Sequence, residues 1–169
     1  MDVKLKPISK SSIDEAISKV ELYRNRNEPE EAESICRDIL AVEPHHQVAQ
    51  RLLGLAITDQ FNGGLSDRYA EAEGIFLSLQ DDYERSYYTG LLYYRRAKAQ
   101  LRAGRPPHTL LVLFEKAMQC FEDAEKVRPP DNDDAILRWN RCVRLLETIP
   151  RRELQREMEV FHVGDEPPV

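Results

Sequence analysis

The chain has 169 residues, enough for one domain that buries its own core without disulfides or a metal ion as staples. It is 41% hydrophobic and 32% charged with only 7 glycines, which favours a soluble, helix-rich protein over a disordered or β-rich one. The net charge of -6 argues against broad nucleic-acid binding, although a mean value can hide a local basic patch.

The charge is unevenly distributed along the chain. Residues 1–84 contain 9 Lys and Arg against 17 Asp and Glu, whereas residues 85–169 contain 15 against 13. The basic excess of the second half is either an ordinary solvated surface or a feature that steers a charged partner.

The cysteines predict reduced thiols. Cys36, Cys120 and Cys142 are odd in number, and each stands where a small apolar residue fits a helical pattern. The start of the chain has no apolar signal-peptide region, and the longest apolar run is too short to span a bilayer. We therefore expect a cytoplasmic protein with no membrane association.

Apolar residues recur at helical spacing in seven segments that are separated by Pro, Gly and Asn. The first predicted helix begins at Ser12, and the second lies between Asn27 and Pro44. The others span residues 47–61, 69–79, 83–103, 110–127 and 135–149. We expect residues 1–11 to be a flexible leader, 12–149 a helical domain, and 150–169 a short helix (151–163) followed by a disordered tail.

Polar residues at the predicted helix starts suggest particular caps. Ser12 and Glu15 have capping-box spacing, and Asn27 precedes the second helix. Ser66 or Asp67 is expected to cap the fourth helix, and Thr109 the sixth.

A small residue followed four positions later by a larger one recurs in the second helix of each predicted hairpin. The copies are Ala32 with Cys36, Ala72 with Phe76, and Ala117 with Phe121; eight residues further on stand Pro44, Glu84 and Pro129. Together with Leu53-Gly54 in the third helix, this pattern resembles the tetratricopeptide repeat family.

The repeats are irregular. Ala32 and Ala72 are 40 residues apart, and Ala72 and Ala117 are 45 apart, against a family unit of about 34, so the second and third copies carry insertions. The third register is open, because either Gly90 or Tyr94 can occupy the small-residue position of the fifth helix.

The resemblance implies three αα-hairpins stacked into a superhelix, with the seventh helix as a cap; a plain helical bundle is the alternative. In this family the first helices of the hairpins line a concave groove that holds a peptide or helix of a partner protein. By position, that groove would contain Ile17, Arg24, Asn25, Arg51, Leu55, Tyr87, Leu91, Tyr94 and Arg95.

The groove prediction leaves the ligand unidentified. Family members that bind a C-terminal carboxylate need Lys and Asn where this chain has Ile17 and Glu21, so that ligand is not expected. Tyrosines and arginines suit a protein interface, yet each tyrosine could instead pack between hairpins. The resemblance thus implies a non-enzymatic adaptor or scaffold for protein binding.

A second basic surface is formed by arginines of the seventh helix and the segment after it. They are Arg138, Arg141, Arg144 and Arg152. They are either solvated cover over a capping helix or a surface that meets an acidic protein or a phosphate backbone. RNA binding usually needs exposed aromatic residues among the basic ones, and only Trp139 flanks this set. The same helix, which carries Trp139, could alternatively serve as a subunit or homodimer interface.

The sequence lacks the short motifs that are typical of catalytic and metal sites. His45-His46 lies in a predicted turn without further ligands at metal-binding spacing, and there is no Gly-rich phosphate loop, nucleophile elbow or repeated Cys pair. We therefore expect no enzymatic activity, no cofactor and no metal.

Overall fold

A computed structural model describes residues 3–149, which contain α-helices, two 3₁₀ turns and no strand. The helices are α1 Ile13–Asn25, α2 Pro29–Val42, α3 Gln47–Asp59, α4 Tyr69–Leu77, α5 Asp82–Arg102, α6 Leu111–Lys126 and α7 Asp134–Glu147. The all-helical prediction is confirmed for this range. The predicted helix 151–163 and the position of Arg152 lie outside the described residues.

The helices begin close to the predicted positions, but the caps differ. The Ser12 hydroxyl donates to the carbonyl oxygen of Ser9 at 2.8 Å and accepts no amide of α1, so the predicted capping box is wrong. Asn27 adopts a left-handed φ of 60° in the turn before Glu28, and no side chain caps α2. The turn geometry at Asn27 therefore replaces the cap that its side chain was expected to provide.

The loop between α3 and α4 is closed by Asp67. Its carboxylate oxygens accept hydrogen bonds from the amides of Asn62 and Gly63 at 2.9 and 2.8 Å, and neither Asp67 nor Ser66 caps α4. Thr109 lies inside the 3₁₀ turn Pro107–Leu110 and donates to the carbonyl of Pro106, so it is not the cap of α6.

Two helices do carry side-chain caps. The imidazole Nδ1 of His46 accepts the amide of Ala49 at 3.1 Å at the start of α3. The carboxylate of Asp81 accepts the amide of Glu84 at 2.8 Å at the start of α5. His46 is thus a structural cap in a turn where two adjacent histidines suggested loop residues only.

The helices pack in two layers. Each α-helix contacts the next one along the chain, which gives successive antiparallel hairpins. In addition, α1 contacts α3, α3 contacts α5, and α5 contacts α7, whereas no comparably extensive contact joins α2 to α4 or α4 to α6. The odd-numbered helices therefore form a continuous layer, which we call the odd-helix face.

Close approach within the hairpins depends on two glycines. A Cβ on Gly54 of α3 would lie 2.4 Å from the Phe76 ring of α4, and a Cβ on Gly90 of α5 would lie 2.9 Å from the Phe121 ring of α6. Gly90 is thus the position of the third hairpin that is equivalent to Gly54, which resolves the register that the sequence left open between Gly90 and Tyr94.

In the first hairpin the sizes at the positions that match in sequence are exchanged. Val20 stands on α1 and Cys36 on α2 at the matching sequence positions, and both are fully buried. A larger residue on the first helix thus accompanies a smaller one on the second. Interiors at crystal-like packing density tolerate such volume-conserving exchanges better than a change in total volume.

A charged network fastens α2 to the loop before α4. Both carboxylate oxygens of Glu33 accept hydrogen bonds from the Arg68 guanidinium at 2.5 Å, and Gln60 and Arg37 donate to the same carboxylate at 2.7 Å. The Arg68 hydrogen bonds lower the pKa of Glu33 to about 2, aided by those from Gln60 and Arg37 and opposed by burial. The folded state therefore strongly favours the ionised carboxylate.

The glycine contacts predict that substituting alanine for glycine changes the free energy of unfolding in opposite directions at two sites. Gly54→Ala is expected to lower the free energy of unfolding by about 1–3 kcal/mol, because the new methyl group overlaps the Phe76 ring. Gly74→Ala in α4 is the matched control, since its Cβ would meet no atom within 4 Å and alanine favours helix by about 0.5–1 kcal/mol. Chemical denaturation measures both, and equal stabilities for the two variants would contradict the packing described.

The Glu33 network predicts a pH-dependent contribution to stability. Because the folded pKa is about 2 against an ordinary 4.5, this contribution is complete above 4.5 and is lost as the pH falls towards 2. The gap in unfolding free energy between wild type and Glu33→Gln should therefore shrink by up to about 3 kcal/mol over that window.

Urea denaturation at several pH values tests this. Glu15→Gln is the control, because the Glu15 side chain is 73% exposed in its pair with Lys19. A gap for Glu33→Gln that is as independent of pH as that of the control would refute a strongly ionised Glu33.

Candidate functional site

The odd-helix face contains the residues that the sequence assigned to a groove, but at different depths. Leu55, Tyr87, Leu91 and Tyr94 are between 3% and 8% exposed and belong to the hydrophobic core. Their side chains thus form the floor beneath the face. The accessible chemistry lies with the polar residues around them.

The tyrosines of α5 mainly hold helices together. The ring of Tyr87 stacks on Tyr83 with centroids 5.6 Å apart and also meets Phe121 at 5.9 Å, while Tyr94 meets Phe114 edge-on at 6.5 Å. The sequence allowed these rings either to contact a partner protein or to pack between helices. Tyr87 and Tyr94 pack between helices.

A chain of ion pairs links three helices across this face. Arg24 of α1 donates from Nε to the Asp59 carboxylate of α3 at 2.7 Å, and Arg95 of α5 donates to the same carboxylate at 2.6 Å. Arg95 also donates to the Thr58 hydroxyl at 2.6 Å. The Asp59 side chain is only 22% exposed, so these charges are partly desolvated and hold the three helices in register.

The remaining residues of the predicted groove surround these ion pairs. Arg51 of α3 pairs with Glu84 at the start of α5 and lies 5.8 Å from the Tyr88 ring centroid. Ile17 of α1 is half-buried against the core, and Asn25 at the end of α1 is exposed. Arg51 is therefore a link between helices, whereas Asn25 is open to solvent.

A cavity of about 260 Å³ opens between α3, α5 and α7, and we call it the basic cavity. Its walls carry four cationic side chains and one carboxylate. The residues that line it are Thr58, Asp59, Phe61, Tyr94, Arg95, Lys98, Arg102 and Arg138.

These surroundings disfavour the charged form of Lys98. Its pKa is lowered first by burial and then by the positive charges of Arg102, Arg141, Arg138 and Arg95. Its ammonium nitrogen lies 5.3 Å from the centroid of the Tyr94 ring, whose negative face attracts it. The cavity is thus a concentrated region of positive potential within an acidic protein.

The three described arginines of the predicted second basic surface all lie on α7 but differ in their surroundings. Arg138 is half-buried in the basic cavity, and its Nε donates to the Tyr87 hydroxyl at 3.3 Å. Arg141 is exposed and acts electrostatically on Lys98 and Tyr94, whereas Arg144 is exposed and does not line the cavity. Trp139 is half-buried against the core.

Three charged residues of this site, Asp59, Lys98 and Arg102, were not among the predicted ones. Arg95, Lys98 and Arg102 are spaced by three and four residues along α5, which places them on one side of a helix. That spacing was a usable signal for Lys98 and Arg102. Asp59 gave no such signal, because its two arginine partners lie 35 and 36 residues away in sequence.

The other candidate chemistries have little support in residues 3–149. All three cysteines are free, and burial raises the pKa of Cys36 to about 12 and those of Cys120 and Cys142 to about 11. Within this range no three His, Cys, Asp or Glu side chains converge as a metal site would require. None of the described helices is both long and apolar enough to cross a membrane.

Comparison with known proteins adds no relative. No protein-family profile, no curated protein and no solved structure matches this chain.

Proposed function

We propose that this protein is a non-enzymatic scaffold that binds a peptide or helix of a partner protein on its odd-helix face. The observation that carries the proposal is the continuous layer formed by α1, α3, α5 and α7. Helical hairpins stacked in this way expose one extended surface on which successive first helices lie side by side.

The arrangement of the hairpins supports a tetratricopeptide-like superhelix as the fold of this scaffold. Gly54 with Phe76 and Gly90 with Phe121 occupy the small and aromatic positions of that repeat pattern, and each pair is in close contact. The odd-numbered helices contact one another more extensively than the even-numbered helices do. A superhelix with the odd-numbered helices on its concave side requires this.

The chemistry of the face suits protein recognition. Its buried aromatic floor is held rigid by packing, and arginines lie around it, so few side chains need to be ordered when a partner binds. We also propose a cytoplasmic location, since three unpaired thiols, two of them buried and one half-buried, are typical of a reducing compartment.

Site-specific photo-crosslinking in the native cell tests this proposal. A photoreactive residue at Asn25 or Arg141, both exposed on the odd-helix face, is expected to give one and the same partner adduct. The controls are Val112, Glu122 and Leu77, which are exposed on the even-numbered helices. These should not give that adduct.

Mass spectrometry of the adducts identifies the crosslinked protein. Adducts that form equally from both sets of positions, or only from the even-numbered helices, would refute the odd-helix face as the binding surface. Loss of the adduct on adding an excess of unlabelled protein serves as the specificity check.

A further inference from the structure

The basic cavity has more positive charge than its own carboxylate can neutralise. Asp59 is already shared between Arg24 and Arg95. Lys98, Arg102 and Arg138 have no carboxylate oxygen within 4.0 Å among the residues that the structure describes. Within residues 3–149, this excess positive charge is left without a paired carboxylate.

The charge of Lys98 is held among these cations at an energetic cost. Lys98, Arg102 and Arg138 lie on two different helices, and the Lys98 ammonium group is partly desolvated, with arginines as its charged neighbours. Salt screens repulsion at the partly desolvated Lys98 less than it screens repulsion between fully exposed charges. An anion bound among them would relieve this repulsion, so the cavity favours a negatively charged group.

The size and walls of the cavity favour a carboxylate over a nucleic acid. A volume of about 260 Å³ suits the end of a side chain, whereas a nucleic-acid strand needs an open track for a regularly spaced row of phosphates. The two rings in the walls, Phe61 and Tyr94, are 7% and 4% exposed, so neither offers a face on which a base could stack. Guanidinium groups, in contrast, hold carboxylates with paired hydrogen bonds.

We propose that the basic cavity accepts an aspartate or glutamate side chain from an acidic segment of the partner protein. This inference rests on the proposed function and names the chemistry of the ligand at one point of the odd-helix face. The net charge of the protein is -6, which makes adventitious attraction of an acidic peptide weak and its binding at this cavity diagnostic.

Fluorescence anisotropy with a labelled, C-terminally amidated oligoglutamate peptide tests the proposal. Binding should weaken roughly tenfold or more in the double variant Lys98→Glu, Arg102→Glu and should fall as salt is added. The control double variant Lys116→Glu, Arg144→Glu makes the same change in net charge at exposed positions that do not line the cavity, and should lower the affinity by only about twofold.

Further probes separate the alternatives. An oligoglutamine peptide with a free C-terminal carboxylate should not bind; its binding in place of oligoglutamate would overturn the proposal in favour of a terminal carboxylate. Tighter binding of single-stranded oligouridylate with the same dependence on Lys98 and Arg102 would overturn it in favour of nucleic acid. No binding of oligoglutamate, or equal losses in both double variants, would also overturn it.

The peptide-binding and crosslinking experiments together distinguish failure of this inference from failure of the proposed function. If oligoglutamate fails to bind while partner adducts still form only from the odd-helix face, the acidic ligand is refuted and the scaffold function stands. If those adducts are absent as well, the proposed function fails together with the inference.

Discussion

The structure depends on the close contact between a glycine of one helix and a phenylalanine ring of the next. Gly54 and Gly90 let α3 and α5 approach α4 and α6 to a distance at which even one methyl group would overlap the ring. Each contact is buried, so the ring loses its exposure to water and fills the space that a side chain on the first helix would otherwise occupy. The separation and crossing of the helices in these two hairpins follow from this constraint.

That constraint in turn shapes the odd-helix face. Because α3 and α5 each pack tightly against an even-numbered helix, their opposite sides are brought next to one another and next to α1 and α7. Asp59 then lies within hydrogen-bond distance of arginines from both neighbouring helices, and its ion pairs connect three hairpins through one carboxylate. The same geometry places Lys98 and Arg102 of α5 across from Arg138 of α7, which creates the basic cavity.

The sequence was most informative about features that depend on residues close together in the chain. Apolar periodicity and Pro or Gly breaks predicted α1 to α7 with ends that differ by a few residues, because burial of one face dictates both the helix and its length. The caps were less predictable. Ser12, Asn27 and Asp67 all had suitable side chains, yet each uses its backbone or side chain to form a turn instead, a choice made by the path of the chain outside the helix.

The site was only partly predictable for a similar reason. Arg95 follows from the repeat pattern, and Lys98 and Arg102 follow from its helical spacing, but the pairing of Asp59 with two distant arginines depends on how the hairpins stack. The pattern also assigned Tyr87, Leu91 and Tyr94 to the correct helix without revealing that their side chains are buried. Long α5 has two sides that face other helices, so its aromatic residues had more than one place to pack.

The central claim is that a ligand meets this protein on the odd-helix face at the basic cavity. Side-chain Nε–Hε resonances of arginine, followed by NMR during titration with an acidic peptide, test it most directly. The account predicts that the resonances of Arg95, Arg102 and Arg138 shift together and saturate at one affinity, while that of Arg37 on α2 stays in place. Shifts confined to Arg37 and other residues of the even-numbered helices, or small shifts spread over all arginines without saturation, would contradict it.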